Sequence, residues 1–220
     1  MKRNFWRDNG LTIALMGLFL ASIVGHALAG WGYYNHQQIE HHQPPAGLIH
    51  YLASGQFISS VFENWESEFL QMSVYVVLTA FLYQRGSPES DDPDISPQAR
   101  KGQTTRQRNA ALEKVGGNRV LLWLYANSLG LALFALFLLS FVLHLLGSTK
   151  EAAEDALSHG QLPPSVLNHL VSAEFWFQSF QNWQSEFLSV AALVVLGIFL
   201  RQENSPESKP LSEPNSKTGG

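Results

Sequence analysis

Residues 121–147 run for 27 positions without one charged side chain, and their only strongly polar members are Asn127, Ser128, Ser140 and His144. A run of ~18 or more apolar residues suits a helix that crosses a bilayer and is too long for an ordinary core helix. Comparable stretches occupy residues 11–31, 175–200 and, less cleanly, 57–83. None alternates polar and apolar residues as a membrane barrel strand does. Mean hydropathy near zero hides this bunching, but the 15% content of charged residues lies well below the ~25% of soluble domains.

The chain also repeats itself. Residues 9–90 laid over 127–208, an offset of 118 without gaps, give 34 identities in 82 positions. The least accidental is Asn64-Trp65-Glu66-Ser67-Glu68-Phe69-Leu70 against Asn182-Trp183-Gln184-Ser185-Glu186-Phe187-Leu188. His26 falls on His144, Pro45 on Pro163, Phe57 on Phe175, and Ser87-Pro88-Glu89-Ser90 on Ser205-Pro206-Glu207-Ser208. A tandem duplication follows, with two apolar stretches in each copy. The expected architecture is all-α: an integral-membrane four-helix bundle made of two parallel-repeat helical hairpins, at 1–86 and 119–202. An even number of spans per copy makes the repeats parallel, not inverted. The linker 87–118 and the tail 203–220, rich in Pro, Ser and charge, are expected to lack order.

Cations orient the hairpins. Of the 14 Lys and Arg, Lys150 alone falls in the loops 34–56 and 148–168; the others lie in residues 1–8, the linker region 85–119 and the tail. Such residues gather on the cytoplasmic side, so both termini and the linker are expected there. Trp6 and Trp123 then sit at the inner boundary, and Trp31, Trp65, Trp176 and Trp183 at the outer one, where aromatic belts form. Lys2-Arg3, the following apolar run and Ala27-Leu28-Ala29-Gly30 also resemble a secretory signal peptide. Cleavage would delete the first helix of one copy and spare its counterpart, so the span is the preferred reading.

Residues 69–83 make only ~22 Å of helix against a ~30 Å hydrocarbon core. The helix must therefore extend back through 64–68 and carry polar groups with it. Ser60, Asn64, Ser67, Glu68 and Gln71 share one face by helical spacing, as do Gln178, Asn182, Ser185, Glu186 and Ser189. A lipid-facing Glu is costly, so this stripe is expected to point inward. His26 and His144 fall at a similar depth. The candidate binding set is therefore His26, Glu68, His144 and Glu186, with Asn64, Asn182 and Glu66. Two readings stand: each His pairs with a Glu, or the four form a protonatable or metal-binding centre. No tight His-x-x-x-His or Glu-x-x-His spacing supports a metal. His36, His41, His42, His50, His159 and His169 read as solvated loop residues. Residues 48–62 and 166–180 read either as interfacial helices or as extensions of the spans.

A net charge of −4 and the absence of cysteine argue against a nucleic-acid partner, a thiolate metal site and a Cys nucleophile. No nucleotide-binding loop, nucleophile elbow or zinc-protease motif occurs, and the residues call for no cofactor or enzymatic activity. The expected partners are the lipid bilayer, a second copy, or another membrane protein. The leading functional expectation is a membrane scaffold or partner-binding protein, with a small channel or carrier for protons or a small solute as the alternative.

Phe62-Glu63-Asn64-Trp65-Glu66-Ser67-Glu68-Phe69-Leu70-Gln71-Met72, together with Ala27-Leu28-Ala29-Gly30-Trp31 and Phe81-Leu82-Tyr83-Gln84-Arg85-Gly86-Ser87, resembles a bacterial family of small multi-pass membrane proteins known as a domain of unknown function. The resemblance covers essentially the whole chain. It implies a bacterial cytoplasmic-membrane protein and transfers no activity. Gln184 in place of Glu66 confines any role that needs both carboxylates to the first copy.

Overall fold

The computed structural model describes residues 5–41, 43–94, 97–114 and 116–219, and within them the chain is helical with no strand. The helices are α1 (Phe5–Asp8), α2 (Gly10–Glu40), α3 (Leu48–Leu52), α4 (Gly55–Thr79), α5 (Pro97–Lys114), α6 (Arg119–Ala126), α7 (Ser128–Ser158), α8 (Val166–Leu170) and α9 (Ala173–Phe199). Three of them, α2, α7 and α9, are long and apolar enough to cross a membrane. At ~1.5 Å per residue, the 31 residues of α2 and of α7 exceed a ~30 Å hydrocarbon core. α4 has the length, but any 18 consecutive residues of it include Glu63, Glu66 and Glu68. In α9 the first two of these positions are Gln181 and Gln184.

The helix bounds recur with the sequence offset. α2, α3 and the start of α4 return 118 residues later as α7, α8 and the start of α9. A local break repeats as well. Asn9 and Asn127 interrupt otherwise continuous helix, each donating its side-chain amide to the carbonyl four residues back, Phe5 at 2.9 Å and Trp123 at 2.7 Å. Such a bond competes with the backbone ladder and loosens the turn. The apolar run beginning at Leu121 is thus divided at Asn127.

The residues on either side of the loops resolve the two readings of 48–62 and 166–180: a five-residue helix comes first, then the long one. Ser54 ends the first short helix, its hydroxyl accepting from the Phe57 N–H at 3.2 Å. The linker carries α5 in place of a tether without regular structure. Its Gln, Ala, Arg, Leu, Glu and Lys residues are good helix formers, and Pro97 at the first position lacks only an amide that a helix start leaves unused.

Two compact units divide the chain. The first comprises Met1–Phe62 and Leu143–Ser172, the second Glu63–Val142 and Ala173–Gly220. In the first, Tyr51 is almost fully buried, with ring centroids 5.4 Å from Tyr34 and 5.3 Å from Phe57. Its hydroxyl lies over Gly30, where an added Cβ would come within 2.0 Å of it. Burial, and then the charge of Glu151, push the Tyr51 hydroxyl above the usual phenol range. Trp31 Nε1 donates to the Ala46 carbonyl at 2.7 Å, and Asn35 brackets the same residue by giving and accepting a bond. α4 and α7 approach backbone to backbone. A Cβ on Gly55 would meet the Glu151 nitrogen at 2.3 Å, and one on Gly147 would meet the Ser59 nitrogen at 2.6 Å. Small residues at such crossings are how membrane helices pack closely without a hydrophobic drive between them.

Candidate functional site

In the second unit the polar groups of α4 meet those of α9. Residues two apart on a helix point in nearly opposite directions, and this decides which acid is inside. Glu66 is fully buried, with Ser67 and Ser73 also on the buried face, while Asn64 and Glu68 are exposed. The expected inward stripe through Asn64 and Glu68 is therefore displaced toward Glu66. Trp183 Nε1 donates to Glu66 Oε1 at 3.0 Å, and the Asn182 amide donates to Glu63 Oε1. Asn182-Trp183 of the second copy is thus held by the two acids of the first copy that the second copy has replaced with glutamine.

An aromatic group surrounds the indole. Trp183 lies 5.4 Å from Phe180, 6.1 Å from Trp176 and 6.4 Å from Phe137, centroid to centroid. Phe141 continues it, edge-on to the fully buried Phe175 at 5.5 Å. Edge-to-face pairs at these distances add ~0.5–1.5 kcal/mol each beyond their area burial. Ser67 and Ser185 turn their hydroxyls back onto the carbonyls of Asn64 and Asn182, both at 2.8 Å, so the motif has the same local shape in both helices.

The candidate set divides between the units. Glu68 and Glu186, in the second, lie within Coulombic reach of each other. In the first, His26 Nε2 shares a hydrogen bond with the Ser60 hydroxyl at 3.1 Å and packs its ring 5.6 Å from Phe57. A hydroxyl, not a carboxylate, is thus its hydrogen-bond partner. His144 is fully buried. Among the described residues no group of three or more His, Asp or Glu is placed to hold a metal ion. Of the remaining histidines, His41 and His159 face each other at 6.5 Å, and His42 lies outside the described residues. His169 departs from the solvated expectation: it is buried, with Nε2 3.0 Å from the Ser148 hydroxyl. Its place in the repeat is that of Tyr51, and Ser148 has the place of Gly30.

A second polar site, which sequence reasoning treated as linker and tail, forms where α4 and α9 end. Gln84 to Ser90 and Gln202 to Ser208 fold into the same loop. The last serine hydroxyl accepts from the glutamine N–H, at 2.9 and 2.8 Å, and the first accepts from the glutamate N–H, at 3.2 Å in both. Gly86 and Asn204 take the corresponding left-handed position, φ +86° and +65°, which Gly and Asn tolerate best. The tail returns to the first loop. Gly86 N–H donates to the Thr218 hydroxyl at 2.9 Å, and Gly219 N–H to the Ser87 carbonyl at 3.0 Å. The loops bring Glu89 and Glu207 together, side chain to side chain. Burial, then the hydrogen bond and charge of Glu207, hold the Glu89 carboxyl above the usual carboxylate range, against a smaller opposing bond from Tyr75. The repeated Ser-Pro-Glu-Ser string was the available signal for this pairing.

The chain belongs to the family described as a domain of unknown function, DUF6766, which it matches over residues 2–220. No curated protein and no solved structure matches it.

Proposed function

With membership of that family as the premise, we propose that this is a multi-pass protein of the bacterial cytoplasmic membrane that serves as a scaffold, holding a second copy or another membrane protein. In this reading α4 is a fourth span beside α2, α7 and α9. The two hairpins form a four-helix bundle, and both termini and the linker are cytoplasmic. The cation distribution supports the orientation. The observation that carries the reading is the Trp183–Glu66 bond beside the Asn182–Glu63 bond. An acid inside a span is tolerated when it faces protein and is paired. Two of the three acids that make α4 polar are engaged in this way, joining helices.

A small channel or carrier is the second reading, favoured by the approach of Glu68 to Glu186. Proteoliposomes decide between them. A scaffold gives no pH- or cation-driven flux, and Glu68→Gln with Glu186→Gln changes nothing. Flux that the same substitutions abolish overturns the scaffold. Photo-crosslinkers at the exposed Phe177 and Phe180 should give a discrete adduct in native membranes, and a uniform absence of adducts would also overturn it. Because the chain has no cysteine, single-cysteine labelling tests the topology cleanly. Leu162→Cys should react in intact cells stripped of their outer layers, and Leu211→Cys only after permeabilisation.

A further inference from the structure

The second unit holds a partly open cavity of about 410 Å³, within the ~300–1,000 Å³ of small-molecule sites. α4 lines it with Val74 and Leu78, and α9 with Phe187, Val190 and Val194. At one end stand Tyr75 and Glu89, the Tyr75 hydroxyl 3.5 Å from Glu89 Oε2. This combination, an apolar body with one anionic group beside an aromatic ring, selects among ligand chemistries. An anion is repelled by Glu89. A small hydrated metal ion would gain nothing from the valine and leucine walls and would lose its water. A neutral apolar guest would leave the carboxyl group without use.

Three cations of the same unit, Arg85, Arg201 and Lys209, have partners of their own. Arg85 is bidentate to Asp94 at 2.7 and 3.0 Å. Arg201 donates to the Glu213 carbonyl and Asn215, and Lys209 to the Asn215 carbonyl. The side chains that act on the Glu89 carboxyl, Glu207 and Tyr75, supply no positive charge. The site is complementary to the charge of a cation.

We propose that this cavity binds a hydrophobic organic cation, its apolar groups against α4 and α9 and its charge beside Glu89 and the Tyr75 ring. Aromatic faces and carboxylates together recognise such cations. Burial and the neighbouring Glu207 raise the Glu89 carboxyl above the usual carboxylate range, so below that raised range Glu89 carries a proton when the cavity is empty. Binding releases that proton to solvent and leaves Glu89 as the counter-anion, so one charge leaves as one enters.

The probe is tetraphenylphosphonium, titrated into the full chain in lipid nanodiscs, with neutral triphenylphosphine oxide as the comparison. Saturable binding of one cation per chain is expected, tightening up to about tenfold per pH unit while Glu89 holds its proton. One proton should appear per cation bound in weakly buffered solution. Glu89→Gln should weaken binding at least tenfold. Val190→Phe fills the cavity from α9, leaves the carboxyl pair in place, and should weaken it comparably. Binding that does not saturate, or that survives both substitutions, overturns the proposal. Equal binding of the phosphine oxide also overturns it, because recognition would then not depend on charge.

Discussion

Removing the indole donor of Trp183 tests whether the buried acid of α4 is a helix clamp. The bond to Glu66 is 3.0 Å long and the acceptor is fully buried. A hydrogen bond to a charged group contributes ~1.5–3 kcal/mol in soluble proteins. Side-chain bonds within membrane bundles average only ~0.6 kcal/mol, with a ceiling near ~1.7, because the unfolded chain in the membrane also finds partners. Full burial places this bond near that ceiling, at about 1–1.7 kcal/mol. Trp183→Phe also trims the ring that packs on Phe180, Trp176 and Phe137, a further ~1–2 kcal/mol by the size of aromatic pair terms.

The total expected for Trp183→Phe is thus about 2–4 kcal/mol, read by circular dichroism during equilibrium unfolding in mixed micelles. The decisive quantity is the double-mutant cycle with Glu66→Leu, which removes the acceptor. In that background Trp183→Phe should cost about 1–1.7 kcal/mol less, since only packing is left to lose. Glu66→Gln should by itself cost less than about 1 kcal/mol, because an amide oxygen still accepts from the indole. Additivity within ~0.3 kcal/mol would refute the clamp and, with it, the structural use of the motif's acids.

Gly147→Ala should destabilise the protein by at least ~2 kcal/mol, since its Cβ would meet backbone at Ser59; Gly25→Ala, in open space, should be neutral or slightly stabilising by the same unfolding assay. Gly30→Ser should also destabilise, through Tyr51, and Tyr51→His in addition should restore most of the loss, because Ser148 and His169 already form that pair at 3.0 Å. Docking of the tail should depend on pH. The fold favours the protonated form of Glu89, so this contribution is complete below the ordinary carboxylate range and is lost as pH rises through the raised value. The anisotropy of a fluorophore at Leu211→Cys should fall over that window, and Glu89→Gln with Glu207→Gln should flatten the response.

How far the sequence was legible depends on the distance over which its signals act. Uncharged length is a one-dimensional signal, and it placed the apolar runs that became α2, α7 and α9. α4 was harder to read because its acids make length and polarity disagree, and only partners on another helix reconcile them. The choice between Glu66 and Glu68 turned on which face of α4 is covered, and helical spacing groups residues without naming the covered face. Histidine partners were illegible for the same reason: His26 meets Ser60, 34 positions away, with nothing local to mark the pair. α5 was missed because the Pro, Ser and charge at the ends of the linker outweighed the helix formers between them.

The places where the two copies differ carry more information than those where they agree. Identity keeps a residue wherever both copies need it, as at Asn9 and Asn127, whose side chains make the same backward bond. A difference survives when each copy faces the other and not itself. Glu63 and Glu66 hold Asn182 and Trp183, and the corresponding positions in the second copy are uncharged, which lowers the number of acids that α4 and α9 must bury. Duplicating all of them would place two further carboxylates in α9, at several kcal/mol for each that stayed buried and unpaired. Gly30 with Tyr51, and Ser148 with His169, show the same logic within each copy: a bulky ring over a bare backbone in one, a smaller ring bonded to a hydroxyl in the other. Gln181→Glu with Gln184→Glu, which restores the symmetry of the sequence, should therefore lower stability or membrane insertion, whereas a stripe built to pass protons would gain from the added acids. Proteoliposomes of that variant separate the outcomes: a poorly inserted, flux-free protein keeps the clamp, and a stable, conducting one refutes it.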